Sequence, residues 1–288
     1  MDNLLLTFFT PTYNRAETLK RLYNSLLEQK SDNFEWIIVD DGSVDKTLEV
    51  VTGFINDNKI KIRYYYQENQ GKHIAINTGV LNAKGGYLLI IDSDDYLLSS
   101  CFESCEKLIH QIEDEPLVAG FTGIHFANSV LYDPNNYGHK QWFQEDEIYK
   151  WKTHGEMVYC YKTEILKSFP FPQFENEKFC PESLIHKRIA REYKVLYTDN
   201  IWARGDYLED GLSSKYQNLL ESSPRAAMLS FKEKIQYSEN KHIQFINVKN
   251  YWNIAMRAKQ ISWIEKFRGI SLKYSLLFWY NRLTKKNN

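Results

Sequence analysis

The sequence predicts an α/β protein in which helices cover both faces of a mostly parallel sheet, with a helical, basic region appended at the C-terminal end. Three observations carry that reading. Between Leu4 and Phe126, strand-like apolar runs alternate four times with helix-periodic stretches through short links, a pattern that closes into right-handed crossovers. Each of the first four strands is followed by a polar cluster: Thr12-Tyr13-Asn14-Arg15, Asp40-Asp41-Gly42-Ser43, Asn69-Gln70-Gly71-Lys72 and Asp92-Ser93-Asp94-Asp95. Open α/β sheets bind their ligands at that end of the strands. The charge is divided as well. From Ser214 to Asn288, 14 Lys and Arg stand against 4 Glu and no Asp, a net +10, so residues 1–213 carry −11 within a chain of net charge −1. A length of 288 residues exceeds the usual ~100–200 of one domain, which favours one domain over 1–213 and a second region over 214–288.

The elements follow in order. Leu4 to Thr10 reads as a buried strand, Pro11 and Asn14 as the turn after it, and Leu19, Leu22, Leu26 and Leu27 as one face of a helix. Phe34 to Val39 is a second strand, and Leu48, Val51 and Ile55 mark the buried face of the next helix. A third strand spans Ile60 to Tyr66. Gly71 opens a helix carrying Ile76, Val80 and Ala83, and Gly85-Gly86 returns the chain to a central strand over Tyr87 to Ile91. Phe102, Cys105, Ile109 and Ile112 line a fourth helix, with strands near Leu117 to Phe126 and Met157 to Tyr161 beyond it.

The central strand runs straight into acid. Asp92, Asp94 and Asp95 fall within four positions, and their repulsion raises the energy unless a cation or hydrogen-bond donors offset it. Asp-x-Asp at a strand end suits a hard divalent ion shared with substrate phosphates. Helix capping by Asp94 or Asp95, or by Ser99 and Ser100, is the competing reading.

Several classes are disfavoured. There is no GxxxxGK[ST] loop and no GxGxxG fingerprint, so neither a P-loop nucleotidase nor a dinucleotide enzyme is expected. Cys101, Cys105, Cys160 and Cys180 form no CxxC pair and read as thiols of a reducing compartment. No secretion signal is visible at the start, and Tyr274 to Tyr280 is too short to span a bilayer, for which ~20 residues are needed. A cytoplasmic location is expected, with contact to the inner face of the cell membrane an option left to the basic tail. Nucleic acid is not expected as a partner, because no recognition motif accompanies the basic stretch.

TFFTPTYNR, EWIIVDDGSVDKT and ENQGKHIAINTGVLNAKGGYLLIIDSDD, in this order and spacing, resemble the nucleotide-binding half of inverting family 2 glycosyltransferases of surface-polysaccharide type. The resemblance covers roughly residues 4–213 and implies the GT-A fold, a Rossmann-like nucleotide-binding three-layer sandwich. It also implies roles for particular residues. Pro11, Thr12, Tyr13 and Arg15 would line the nucleoside pocket, with Tyr13 near the base; a core aromatic is the alternative for Tyr13. Asp41 would accept from the uracil imide, while Asp40 caps the helix after it. Lys72 and Asn77 would lie near the sugar nucleotide, although Lys72 also suits a solvated surface position. Asp92 would hold the ribose region, and Ser93 beside it would bind the nucleotide sugar. Asp94 would bind Mn²⁺ or Mg²⁺ at the diphosphate, and Asp95 would anchor the loop.

Inverting transfer also needs a carboxylate to deprotonate the acceptor hydroxyl. The family places an acid six residues before an Arg near a helix start, which here gives Glu182 and Arg188, with Pro181-Glu182 standing where the family shows Glu-Asp. First-turn dipole compensation is the bland reading of Glu182, and Glu175 and Glu177 are nearby alternatives for the base. Trp142, Trp151, His154 and Gly155 suit an acceptor-facing loop, and Arg204 with Asp206 to Ser214 resembles the segment that covers bound donor. That segment lacks the His many relatives carry. The chain lacks the QxxRW motif of processive synthases, so single-sugar transfer from a UDP-sugar to a glycan hydroxyl is expected, the acceptor being lipid-linked in one version. A nucleotidyltransferase and a non-catalytic glycan-binding or scaffold protein are the rival functions. Residues 266–286 combine an aromatic run with six Lys and Arg and no acid. That pattern fits an interfacial helix on anionic lipid, and equally a helix packed on the catalytic domain or on a second subunit of a homo-oligomer.

Overall fold

The computed structural model describes residues 4–127, 141–142, 156–205 and 215–284, with the backbone alone at 141, 142, 277 and 280–284. The chain divides into two compact units, residues 1–170 with 185–208 and residues 171–184 with 209–288.

The first unit is built on strands β1 (Leu6–Thr12), β2 (Phe34–Asp40), β3 (Lys61–Tyr66), β4 (Tyr87–Ile90), β5 (Asp95–Leu97), β6 (Val118–Ala127), β7 (Gln141–Trp142), β8 (Glu156–Lys162) and β9 (Lys194–Gly205). They form one sheet in the order β3-β2-β1-β4-β8-β6-β9-β5, with β7 also on β9. Helices α1 (Ala16–Leu27), α2 (Thr47–Asp57), α3 (Lys72–Asn82) and α4 (Cys101–Ile112) alternate with the early strands. Leu6 and Phe8 of β1 share a core with Leu19, Leu22 and Leu26 of α1 and with Phe102 and Leu108 of α4. Thr7 and Phe9 point the other way along the pleat, toward the face where α3 packs on β1 and β2. Both faces are therefore covered, as a strand of seven buried residues requires.

The sheet is mixed rather than mostly parallel. β3, β2, β1 and β4 are parallel, and β6 is parallel to β9, but β8 runs antiparallel to both β4 and β6, and β5 and β7 run antiparallel to β9. An apolar run reports burial on two faces and carries no sign of strand direction. In α2, Val51 is buried but Leu48 is 58% exposed and Ile55 is also exposed, because this helix packs chiefly on α1 and the edge strand β3. Asp40 caps no helix: its Oδ1 accepts from the Ser43 N–H at 2.7 Å and its Oδ2 from the Tyr64 hydroxyl at 2.7 Å, while α2 starts after Lys46. All four cysteines are buried free thiols.

The first unit also holds α5 (Thr163–Lys167), and α6 (Ser183–Glu192) begins at the boundary between the units. The second unit adds α7 (Tyr216–Ser222), α8 (Pro224–Tyr237), α9 (Lys241–Arg257), α10 (Trp263–Arg268) and α11 (Leu272–Thr284). Its core gathers Phe231, Tyr251, Trp252, Ile254 and Phe278. Sequence-readable caps set two starts. The Asn240 side chain accepts from the His242 and Ile243 N–H groups ahead of α9, and Ser262 Oγ accepts from the Glu265 N–H ahead of α10. No helix of the described residues is long and apolar enough to cross a membrane.

Candidate active site

β1 has β2 on one side and β4 on the other, so the strand order reverses there, and loops diverging at such a point leave a crevice at the carboxyl ends of the strands. In register, Thr12 lies opposite Asp40, and Asp40 opposite Tyr66. β4 stops at Ile90, two residues before Asp92.

The loops after β1 and β2 are latched to one another. Ser43 Oγ accepts from the Asn14 N–H at 2.7 Å, Asn14 Oδ1 accepts from the Val44 N–H at 2.8 Å, and Asp45 Oδ2 accepts from the Ala16 N–H at 3.2 Å. Asn14 itself is left-handed at φ 53°, a conformation Asn tolerates better than most residues. Between these anchors Tyr13 is 49% exposed, which rules out the core-aromatic reading, and Arg15 is half-buried. Pro11 and Thr12 are buried, and Thr12 Oγ1 has no hydrogen-bond partner among the described residues.

Asp41 organises the third loop. It is 3% exposed; Oδ1 accepts from Gln67 Nε2 and from the Gln70 N–H, and Oδ2 accepts from the Gly71 N–H, each at 2.8 Å. A carboxylate offers about four acceptor sites, so roughly one remains for a ligand. Gly71 sits at φ 95°, where a side chain would be strained, and its turn starts α3 with Lys72 facing the acids. Lys72 Nζ lies 2.7 Å from Asp92 Oδ1 and 3.0 Å from Oδ2, so it is an ion-pair partner rather than a solvated surface charge. Asn77 is half-buried further along α3.

One carboxylate oxygen from each of Asp92, Asp94 and Asp95 can be chosen so that all lie within 4.8 Å of one another. Asp94 is raised above the usual carboxylate range, by burial first and then by the Asp92 charge, against the weaker pull of Arg15 and Lys72. Arg21 of α1 donates to the Asp94 carbonyl and lies 5.0 Å from the Tyr96 ring, which fixes the turn. Asp95 opens β5 and meets His125 Nε2 at 2.9 Å. At Gly205, opposite Asp95 in the sheet, a Cβ would fall 1.9 Å from Asp95 Oδ1, so glycine leaves room for the pair. Burial lowers the His125 pKa, but the Asp95 hydrogen bond and charge outweigh it, with help from Glu156 and Asp92, and the net shift is upward. Capping does not account for the acids: Asp95 is in a strand, and Ser100, at the N-cap of α4, makes no side-chain cap hydrogen bond. Crowded, half-buried oxygens of this kind suit a hard divalent ion. Ser93 is buried between them.

Sequence reasoning singled out neither His125, Arg21 nor Gln67. His125 and Arg21 reach the acids from β6 and α1, and no spacing along the chain announces them. Gln67 had a local signal, since it lies just ahead of the Asn69 to Lys72 cluster. His73 and His186 are ordinary in sequence, and burial pushes them down, to about 4 and, with the Lys72 charge adding, to about 3.

The candidate base is in the second unit. Glu182 is half-buried and immediately precedes α6. Glu177 is a buried helix cap: its two oxygens accept from the Arg225 and Ala226 N–H groups, each at 2.9 Å, at the start of α8. Glu175 is exposed. Arg204 lies in β9, whereas Asp206 to Ser214, Trp151, His154 and Gly155 lie outside the described residues, as does the side chain of Trp142.

The model of the family named glycosyl transferase family 2 matches residues 7–171, more than half of the chain. The chain belongs to this family. Hyaluronan synthase of Pasteurella multocida is 36% identical to this family 2 glycosyltransferase over 217 residues, 75% of the chain and 18% of that protein. The chain spans between 18% and 42% of the length of the curated relatives it matches first. Among solved structures, TarS 1–349 of S. aureus in complex with UDP-GlcNAc matches with a TM-score of 0.61 at 19% identity, covering 94% of this chain and 77% of that one. Mannosyltransferase PcManGT of Pyrobaculum calidifontis, in complex with GDP-Man and Mn²⁺, matches with a TM-score of 0.58 at 17% identity, covering 98% and 80%. The fold of the family 2 chain is thus the GT-A fold, with a helical C-terminal region.

Proposed function

We propose that this chain transfers a single sugar from a UDP-sugar to a hydroxyl of a glycan in surface-polysaccharide synthesis, with inversion at the anomeric carbon. The observation that carries the reading is the gathering of Tyr13, Arg15, Asp41, Lys72, Asp92 and Asp94 on the loops and the first turn of α3 at the carboxyl ends of β1 to β4, where the strand order reverses. The identity to hyaluronan synthase supports a polysaccharide product, and the likeness to a UDP-GlcNAc complex supports a uridine donor. A lipid-linked acceptor at the inner face of the membrane belongs to the same proposal.

Tyr13 stacks on the base, with Pro11, Thr12 and Arg15 around the nucleoside and the remaining Asp41 acceptor site turned to the uracil imide. Asp92 and Ser93 hold the ribose region, and Lys72 and Asn77 lie beside the sugar diphosphate. Asp94, with Asp92 beside it, would hold Mn²⁺ or Mg²⁺, which when bound offsets charge on the leaving diphosphate. Glu182 takes the proton of the acceptor hydroxyl as its oxygen bonds to the anomeric carbon. The bond from that carbon to the phosphate oxygen breaks on the opposite face, and the electron pair leaves with the nucleoside diphosphate. A panel of UDP- and GDP-sugars, following nucleoside diphosphate release with and without Mn²⁺, tests the reading. Release from a UDP-sugar that depends on the metal supports it, and release from GDP-sugars alone overturns the donor assignment.

A further inference from the structure

Part of the C-terminal aromatic run faces inward. Phe278 is buried and stacks on Trp252 at 6.0 Å, and Trp279 meets the same ring at 5.7 Å. The residues left outside are different ones. Trp263 and Ile264 of α10 are 54% and 67% exposed, Phe267 is 41% exposed, and Leu272 and Leu276 of α11 are exposed as well. Single exposed apolar residues are ordinary, but five large ones within fourteen positions are not.

On α10 these side chains are also adjacent. Trp263 and Phe267 lie one helical turn apart with ring centroids 6.2 Å apart, and Ile264 is one turn from Phe267 on the same side. Phe267 touches Trp252 at 4.9 Å, the ring that Trp279 also meets, and the exposed Leu272 and Leu276 follow one another at i and i+4 along α11. Trp252 is itself fully buried, so it braces both helices from beneath.

The charges beside this surface choose its occupant. Arg268 and Lys273 are exposed, and Lys266 lays its stem under the surface with Nζ 4.7 Å from the Trp263 ring. The acid of α10, Glu265, is bonded to Arg225 Nε at 3.2 Å. A second copy would bring the same basic groups face to face, whereas an anionic bilayer complements them. We propose that α10 and the outer stripe of α11 form an interfacial membrane-docking surface, with Trp263, Ile264 and Phe267 entering the headgroup region of an anionic bilayer and Arg268 and Lys273 pairing with lipid phosphates. This surface differs from the whole segment 266–286, since Trp263 and Ile264 lie ahead of it and Phe278 is committed to the core. The docking is read without donor or acceptor, so it stands or falls apart from the proposed transfer.

The test uses the full chain with vesicles of phosphatidylglycerol and phosphatidylcholine, or of phosphatidylcholine alone, sedimented at low and high salt. The chain is expected to pellet with the anionic vesicles and to retain a salt-resistant fraction. The double variant Trp263→Ser with Ile264→Ser is expected to lower partitioning at least about tenfold at both salts, and Arg268→Glu with Lys273→Glu to lower it at low salt alone. Circular dichroism and melting, with light scattering for mass, accompany each variant. The proposal is overturned if the parent stays in the supernatant at low salt or if both variants bind as it does. It is equally overturned if the serine variant no longer melts cooperatively, or if the parent is a dimer that this variant splits.

Discussion

The acids of the two units are held in opposite ways. In the first unit, Asp41, Asp92, Asp94 and Asp95 gather at one rim of the sheet, held by donors from other elements, Gln67, Lys72 and His125 among them. Their turns are fixed while some acceptor capacity stays available. In the second unit, Glu177 places its two oxygens on the first N–H groups of a helix, 2.9 Å from each, with the Arg225 guanidinium 3.8 Å away, and so serves as a buried helix cap. Burial alone therefore does not mark an acid for chemistry. What separates the two is what the carboxylates serve: Glu177 holds the start of a helix within its own unit, whereas the rim acids gather at the ends of the strands.

The largest effect that could break this contrast is at Asp94. Asp94→Asn is expected to reduce turnover to background, with the circular dichroism spectrum and melting temperature unchanged. Near-normal turnover at limiting Mn²⁺ would put the metal elsewhere. Next comes Glu182→Gln, expected to keep donor binding but to slow transfer by the ~10²–10⁴-fold typical of a lost general base. Single-turnover transfer and donor binding measured together decide it, and a normal rate here with a slow Glu175→Gln would move the base.

A smaller effect concerns a buried group with a different fate. His73 is 3% exposed, and burial lowers its pKa from 6.5 to about 4. Between those values the unfolded chain binds more protons than the folded one, so stability is full above pH 6.5 and falls as the pH drops toward 4. The loss amounts to about 3 kcal/mol. Urea midpoints across that window should show it, and His73→Asn should remove this part of the slope. The smallest effect sharpens the comparison from the other side. Glu177→Ala strands two helix N–H groups and should cost about 1–3 kcal/mol of stability, with transfer per folded molecule unchanged. A loss of rate without a loss of stability would mean that Glu177 does more than cap its helix.

The first four strands and four helices were legible in the residues, because a strand buried on both faces is a continuous apolar run and a surface helix repeats every three to four residues. The strand-end clusters were legible for the same reason, since a polar group just past such a run has to lie at the rim. Tertiary structure alone decided the direction of β8, the strand β5, the pairing of Asp95 with His125 and the reach of Arg21 to Asp94. Each joins residues 30 or more positions apart in sequence, and sequence periodicity reports how an element is buried rather than what it is buried against. The same limit applies to Glu175, Glu177 and Glu182, three similar acids within eight residues. The packing of α8 against Glu177 is what distinguishes it from the other two.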